Sequence, residues 1–139
     1  MARILLYGSM LFSANTRLVV MSDAPFHSLD TEADWTNALE QSTDTPVLVF
    51  KHSSTCPVSG NANMEMTELA EEDLVPIYRV VVQENRAVSD AIASELDVRH
   101  ETPQAILVHE EEPVYDTSHF NVIADTLREE LRRHSLSTT

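Results

Sequence analysis

Apolar and polar positions alternate in two rhythms from residue 28 onward. Over residues 28–41 a capping residue is followed by early acids, which suit the positive end of a helix. Trp35, Ala38 and Leu39 then share one face. Thr45 and Pro46 interrupt. Val47, Leu48, Val49 and Phe50 form a short continuous apolar run, the pattern of a central strand covered on both faces. A polar stretch leads to Cys56 and Pro57, where proline suits the first helical turn because its missing N–H would have no partner there. This predicts a helix over 57–71 with Met64, Leu69 and Ala70 turned inward. Residues 76–82 are rich in β-branched side chains and read as a strand. Over 85–96, Val88, Ile92 and Leu96 recur every four residues, as on an amphipathic helix. Residues 104–108 and 113–116 read as a hairpin around Glu110, Glu111 and Glu112. A closing helix over 121–133 aligns Ile123, Leu127 and Leu131, and puts Arg128, Arg132 and Arg133 toward the negative end of its dipole. The strand, helix, strand portion is a parallel crossover unit, so the expected class is α/β, a central four-stranded mixed sheet flanked by helices.

Composition narrows the function classes. With 139 residues and 42% hydrophobic content, one domain with one sizeable core is expected. Two glycines, six prolines and the absence of repeats argue against disordered or fibrous chains. The formal charge is −14, and its basic side is eight arginines plus Lys51. Such a surface disfavours nucleic acid and anionic membranes, both of which need a basic face. It favours solubility, and a high-salt interior would screen its self-repulsion. A single cysteine permits no internal disulfide, which suits a reducing, cytoplasmic compartment; a monomer is expected. The apolar stretch at residues 4–12 is far shorter than the ~20 residues of a spanning helix. With Arg3 ahead of it and Ser13, Ala14 and Asn15 behind, it makes only a weak signal-peptide pattern. The periodic pattern begins after Met21, itself an alternative start. The expected division is an extension over 1–24 and a domain over 25–139.

Cys56 is the residue with chemistry. At a helix N-terminus, unpaired N–H groups and the helix dipole favour thiolate, the nucleophilic form. A free cysteine is more often a small buried hydrophobe, but an apolar strand before it and Pro57 after it are not what an inert thiol needs. Lys51 and His52, at the end of the preceding strand, are candidates for electrostatic support. Ser59 stands three residues on, one helical turn away, where a dithiol enzyme has its second cysteine. A hydroxyl closes no disulfide, so exchange would stop at a mixed disulfide on Cys56 until another thiol resolves it. Ser59 is a candidate donor to the sulfur; a merely solvated helix serine is the competing reading. Thr102-Pro103 precedes the strand over 104–108 and reads either as a tolerated edge feature or as a docking element. His52, His100, His109 and His119 can be assembled with Cys56 into a metal site on paper, yet their spacing follows no ligand motif, so no metal is expected. Met64 and Met66 read as filler.

Three blocks carry a resemblance: Lys51-His52-Ser53-Ser54-Thr55-Cys56-Pro57-Val58-Ser59, Val98-Arg99-His100-Glu101-Thr102-Pro103-Gln104-Ala105-Ile106-Leu107-Val108, and Thr117-Ser118-His119-Phe120. Together they resemble the monothiol bacilliredoxins, a thioredoxin-like family with a Thr-Cys-Pro-Ile-Ser type motif, over roughly residues 30–130. Val58 stands in the place of the commoner isoleucine. The resemblance implies a thioredoxin-like fold and a monothiol thiol-disulfide oxidoreductase that removes bacillithiol, or a similar low-molecular-weight thiol, from mixed disulfides on client proteins. Carried over by position, Cys56 is the nucleophile, Ser59 the non-resolving position and Pro103 a cis-proline. Thr55, Pro57, Ser59, Thr102 and Pro103 are the implied substrate-binding residues. Bacillithiol is co-substrate, with no resident cofactor. Two rivals remain. One is an iron-sulfur carrier like the monothiol glutaredoxins, disfavoured because their usual Cys-Gly-Phe-Ser is replaced by a stiffer Pro57-Val58. The other is a thioredoxin-fold binding module without catalysis.

Overall fold

The computed structural model describes residues 25–137. The elements, in order, are β1 (His27–Ser28), α1 (Glu32–Gln41), β2 (Val47–His52), α2 (Pro57–Glu71), β3 (Ile77–Val81), α3 (Arg86–Leu96), β4 (Gln104–His109), β5 (Glu112–Ser118), a 3-10 turn (His119–Asn121) and α4 (Ala124–Ser137). The sheet runs β1-β3-β2-β4-β5, with β1 and β2 parallel to β3 and the β2/β4 and β4/β5 pairs antiparallel.

β2 is central, and residues 47–51 are all buried, as its unbroken apolar run anticipates. Strand alternation divides those residues between two cores. Leu48 and Phe50 pack with Ala62, Met66 and Leu69 of α2 and Leu127 and Leu131 of α4. Val47 and Val49 pack on the opposite face with Trp35 and Ala38 of α1 and Val88, Ile92 and Leu96 of α3. Both faces of the sheet are therefore sealed by a helical layer, the arrangement that parallel pairing demands.

The structure corrects the sequence expectations in four places. The sheet has five strands rather than four, because His27 and Ser28 pair with Tyr78 and Arg79 at the edge. That pairing claims the start of the first anticipated helix, which instead begins at Glu32. Thr31 caps it: its hydroxyl accepts the Asp34 N–H, while the Asp34 carboxylate accepts the N–H groups of Asp30 and Thr31. Those backbone bonds hold the Asp34 carboxyl below its ordinary range. Met64 is exposed, and Met66 fills the core in its stead. The last helix starts at Ala124 because residues 119–121 form the 3-10 turn, leaving Ile123 outside it and partly exposed. The expected extension over 1–24 lies outside the described residues.

Candidate active site

The site is assembled where β2 ends and α2 begins. Cys56 is the N-cap of α2, with an extended backbone (φ −103°, ψ 124°), and Pro57 occupies the first turn behind it. The Cys56 carbonyl accepts the Gly60 N–H at 3.0 Å, closing that turn. The Cys56 side chain makes no capping bond, and the residue is partly exposed.

Strand pairing sets Pro103 at the end of β2 from which the cysteine loop departs. Lys51 is opposite Gln104 in the antiparallel register, which brings Pro103 level with His52, the last residue of β2. The Thr102-Pro103 bond is cis, and Pro103 is buried. Its carbonyl accepts the His119 N–H at 2.9 Å, linking this edge to the 3-10 turn. The His119 ring lies 2.9 Å from a Glu101 carboxylate oxygen, and that contact holds the Glu101 carboxyl below its usual range. Between α2 and the turn lies an open groove whose lining includes Val58, Met64, Phe120 and Ile123; Phe120 is 75% and Met64 71% exposed.

Ser59 is fully buried. Its oxygen accepts the Ser53 N–H at 2.8 Å and stands 2.8 Å from His52 Nδ1. No bond from Ser59 to the sulfur occurs among the described residues; the hydroxyl ties the 52–56 loop to the first turn of α2. Burial, then the nearby Arg79 charge, pushes the His52 imidazole below its ordinary pKa, so it is neutral at pH 7 and supports the site through Ser59 rather than by charge. The outer side of the loop is held by Gln83, just past β3. Its amide oxygen accepts the Ser54 N–H at 3.1 Å, and its amide nitrogen donates to Ser53 Oγ at 2.7 Å and Thr55 Oγ1 at 3.1 Å. Only its place after a strand marks Gln83 in the sequence. Ser59→Ala is expected to leave the part-buried Ser53 N–H without its acceptor and lower stability by about 1–2 kcal/mol, measured by urea unfolding.

Lys51 projects to the other face of the sheet, as strand alternation from Val47 and Val49 requires. Its ammonium is enclosed against α3, donating to the Ser89 carbonyl and to His100 Nδ1, each at 3.1 Å. Burial pushes its pKa down to about 8. It therefore lies on the α1 and α3 side of the sheet, opposite the face that packs against α2. Burial and the Lys51 charge also lower His100. Gln104, a second residue with no motif signal, is buried, donates to the Arg99 carbonyl at 2.9 Å and accepts the Glu101 N–H at 3.3 Å.

The four histidines of the paper metal site are spread apart. His109 ends β4 at the opposite edge from Pro103, and no group of three or more potential ligands is gathered among the described residues. No helix among those residues is long and apolar enough to cross a membrane.

Comparison with known proteins agrees with this geometry. The family model described as monothiol bacilliredoxin BrxC matches residues 27–127. A solved structure described as a putative oxidoreductase with a thioredoxin fold is 31% identical, covering 77% of this chain and 94% of its own, with a TM-score of 0.70. Thioredoxin from Fasciola hepatica shares the fold at 23% identity, covering 78% of this chain and 99% of its own, with a TM-score of 0.63. Thioredoxin f2 from Chlamydomonas reinhardtii does so at 22%, with 78% and 95% covered and a TM-score of 0.62. A partly exposed cysteine at a helix start and a cis Thr102-Pro103 bond ahead of β4 thus sit in a chain of thioredoxin fold with a thiol redox role, and that chain belongs to the monothiol bacilliredoxin family.

Proposed function

We propose that the chain removes bacillithiol, or a similar low-molecular-weight thiol, from mixed disulfides on client proteins, with Cys56 as nucleophile. The observation that carries this reading is the pairing of the chain's single cysteine, partly exposed at the start of α2, with a serine at the position one turn on. Cys56 thiolate attacks the small-thiol sulfur of the mixed disulfide. A new sulfur–sulfur bond forms to Cys56, the old one breaks, and the client leaves as thiolate, which takes a proton from water. A second small thiolate then attacks the capped Cys56, forming a small-molecule disulfide and returning the Cys56 thiolate. Over the two steps the client sulfur is reduced from disulfide to thiolate, the incoming small thiolate is oxidised into the small-molecule disulfide, and no other oxidant or reductant is needed.

The groove beside Val58 supports a client segment lying along α2, and the Thr102-Pro103 edge supports backbone contact with it. Thr55 and Pro57, both exposed, border the entry. The decisive experiment is mass spectrometry after mixing with a client protein carrying bacillithiol. Wild type should gain the small-thiol mass on Cys56 as the client loses it, and Cys56→Ser should do neither. A client that keeps its cap beside reduced Cys56 overturns the reading and favours the binding module; absorbance from a bound cluster after anaerobic reconstitution favours the iron-sulfur carrier.

A further inference from the structure

Five polar or charged side chains are buried among the described residues: Ser42, Lys51, Ser59, Ser89 and Gln104. Lys51 is the only cation of the five. Its ammonium hydrogen-bonds the Ser89 carbonyl and His100 Nδ1, and among the described residues no carboxylate is in salt-bridge contact with it. Asp90 on α3 acts on the ammonium through space, and the ammonium's partner His100 in turn feels Lys51, Asp90, Arg86 and Glu101. Enclosing a cation without an ion pair is costly, and an apolar side chain of the same length would pack at that position without the cost. The arrangement has a use if the lysine holds something that matters.

What it holds is the segment leading to Pro103. His100 stands three residues before the cis-proline, and as an ammonium Lys51 can only donate, so His100 Nδ1 must accept and carry its proton on Nε2. Gln104 is the register partner of Lys51 on the neighbouring strand. It takes the same segment at two further points, the Arg99 carbonyl and the Glu101 N–H. Two facing strand residues, both buried and both polar, thus grip residues 99–101 from within the fold, while His119 holds Glu101 from outside.

We propose that Lys51 and Gln104 are positioning residues for thiol exchange, fastening the 99–101 segment so that Thr102-Pro103 presents a fixed edge to the disulfide at Cys56. This rests on the function proposed above. Neither side chain touches the reacting sulfurs; both act through the loop. Misplacing such an edge lowers exchange with a protein substrate, which must dock, far more than reaction with a small electrophile, which need not.

The test compares wild type, Lys51→Met, His100→Leu and His100→Asn in three measurements. These are exchange with a client protein carrying bacillithiol, alkylation of Cys56 by iodoacetamide, and amide hydrogen exchange over residues 99–102. Lys51→Met and His100→Leu should lower kcat/KM for the client by about ten-fold or more, leave alkylation within about two-fold and speed amide exchange in the segment. His100→Asn, whose amide oxygen can replace Nδ1 as acceptor, should restore the client rate. Because His100 is exposed, its variants keep the test open if Lys51→Met does not fold. Wild-type client rates in the leucine and methionine variants, a parallel fall in alkylation, or unchanged amide exchange would each overturn the proposal while leaving the proposed function intact. A wild type that cannot uncap the client at all refutes that function, and the positioning role with it.

Discussion

With bacillithiol on Cys56 and no other thiol in solution, Ser59→Cys is expected to release one equivalent of free small thiol per chain, whereas wild type keeps its cap. The two positions are the N-cap and the third residue of α2, one turn apart on the same helix. A thiolate at residue 59 attacks the Cys56 sulfur within the same molecule, which replaces a bimolecular step by a unimolecular one. The internal disulfide forms as the small thiol leaves, so the variant resolves itself. The native hydroxyl cannot do this. The change has a cost, because the Ser59 oxygen accepts the Ser53 N–H and meets His52, and sulfur accepts hydrogen bonds weakly. A loss of about 1–2 kcal/mol is expected, a few degrees of Tm. Thiol titration of the filtrate checks the release, with intact mass reporting the internal disulfide. A folded variant that holds its cap as firmly as wild type would show that the residue 59 side chain cannot reach the sulfur.

Lys51→Met is expected to make the protein more stable at neutral pH, by up to about 3 kcal/mol, even as it slows exchange. Burial lowers the lysine pKa from 10.5 to about 8, so the folded state disfavours the charged form. The sign follows from proton counts. Between the two values the unfolded chain holds a proton that the folded chain has released, so wild-type stability rises with pH across that window and is lowest, relative to methionine, below pH ~8. The methionine variant has nothing to titrate there. Its advantage should be full near pH 7 and shrink to little by pH ~10, read as the difference between two urea unfolding series. An advantage constant across the window would mean that packing, not the buried charge, sets it. A lysine that lowers stability while gripping the docking edge is the usual conflict between stability and a functional site.

Much of this protein is written locally. α2 begins at Pro57 and ends at Glu71, as expected from the sequence, because proline at the first helical position acts within one turn and needs no distant partner. The two strands around the Glu110–Glu112 turn and the four-residue rhythm of α3 were legible for the same reason. Cys56 and Pro103 are marked by their immediate neighbours, and the resemblance to the bacilliredoxins reads those neighbours as a set.

The failures share another cause. Ser28 looked like helix because nothing within a few residues reveals that β3 takes it as an edge partner; the Leu29 N–H likewise goes to the Arg79 carbonyl. Met64 and Met66 are equally apolar, and only the docking of α2 against the sheet and α4 decides which is buried. The unbroken run Val47 to Phe50 hides its own alternation, since both faces of β2 are covered. Hence the side to which Lys51 turns could not be read, and its ammonium hydrogen-bonds the Ser89 carbonyl and His100 on the α3 side of the sheet. The start of α2, strand propensity and the candidate nucleophile lie in the sequence alone because proline geometry and hydrophobic period act over one or two turns. The register that sets Pro103 at the end of β2 and the enclosure of Lys51 belong to the tertiary structure, because each depends on pairing between residues far apart in the chain.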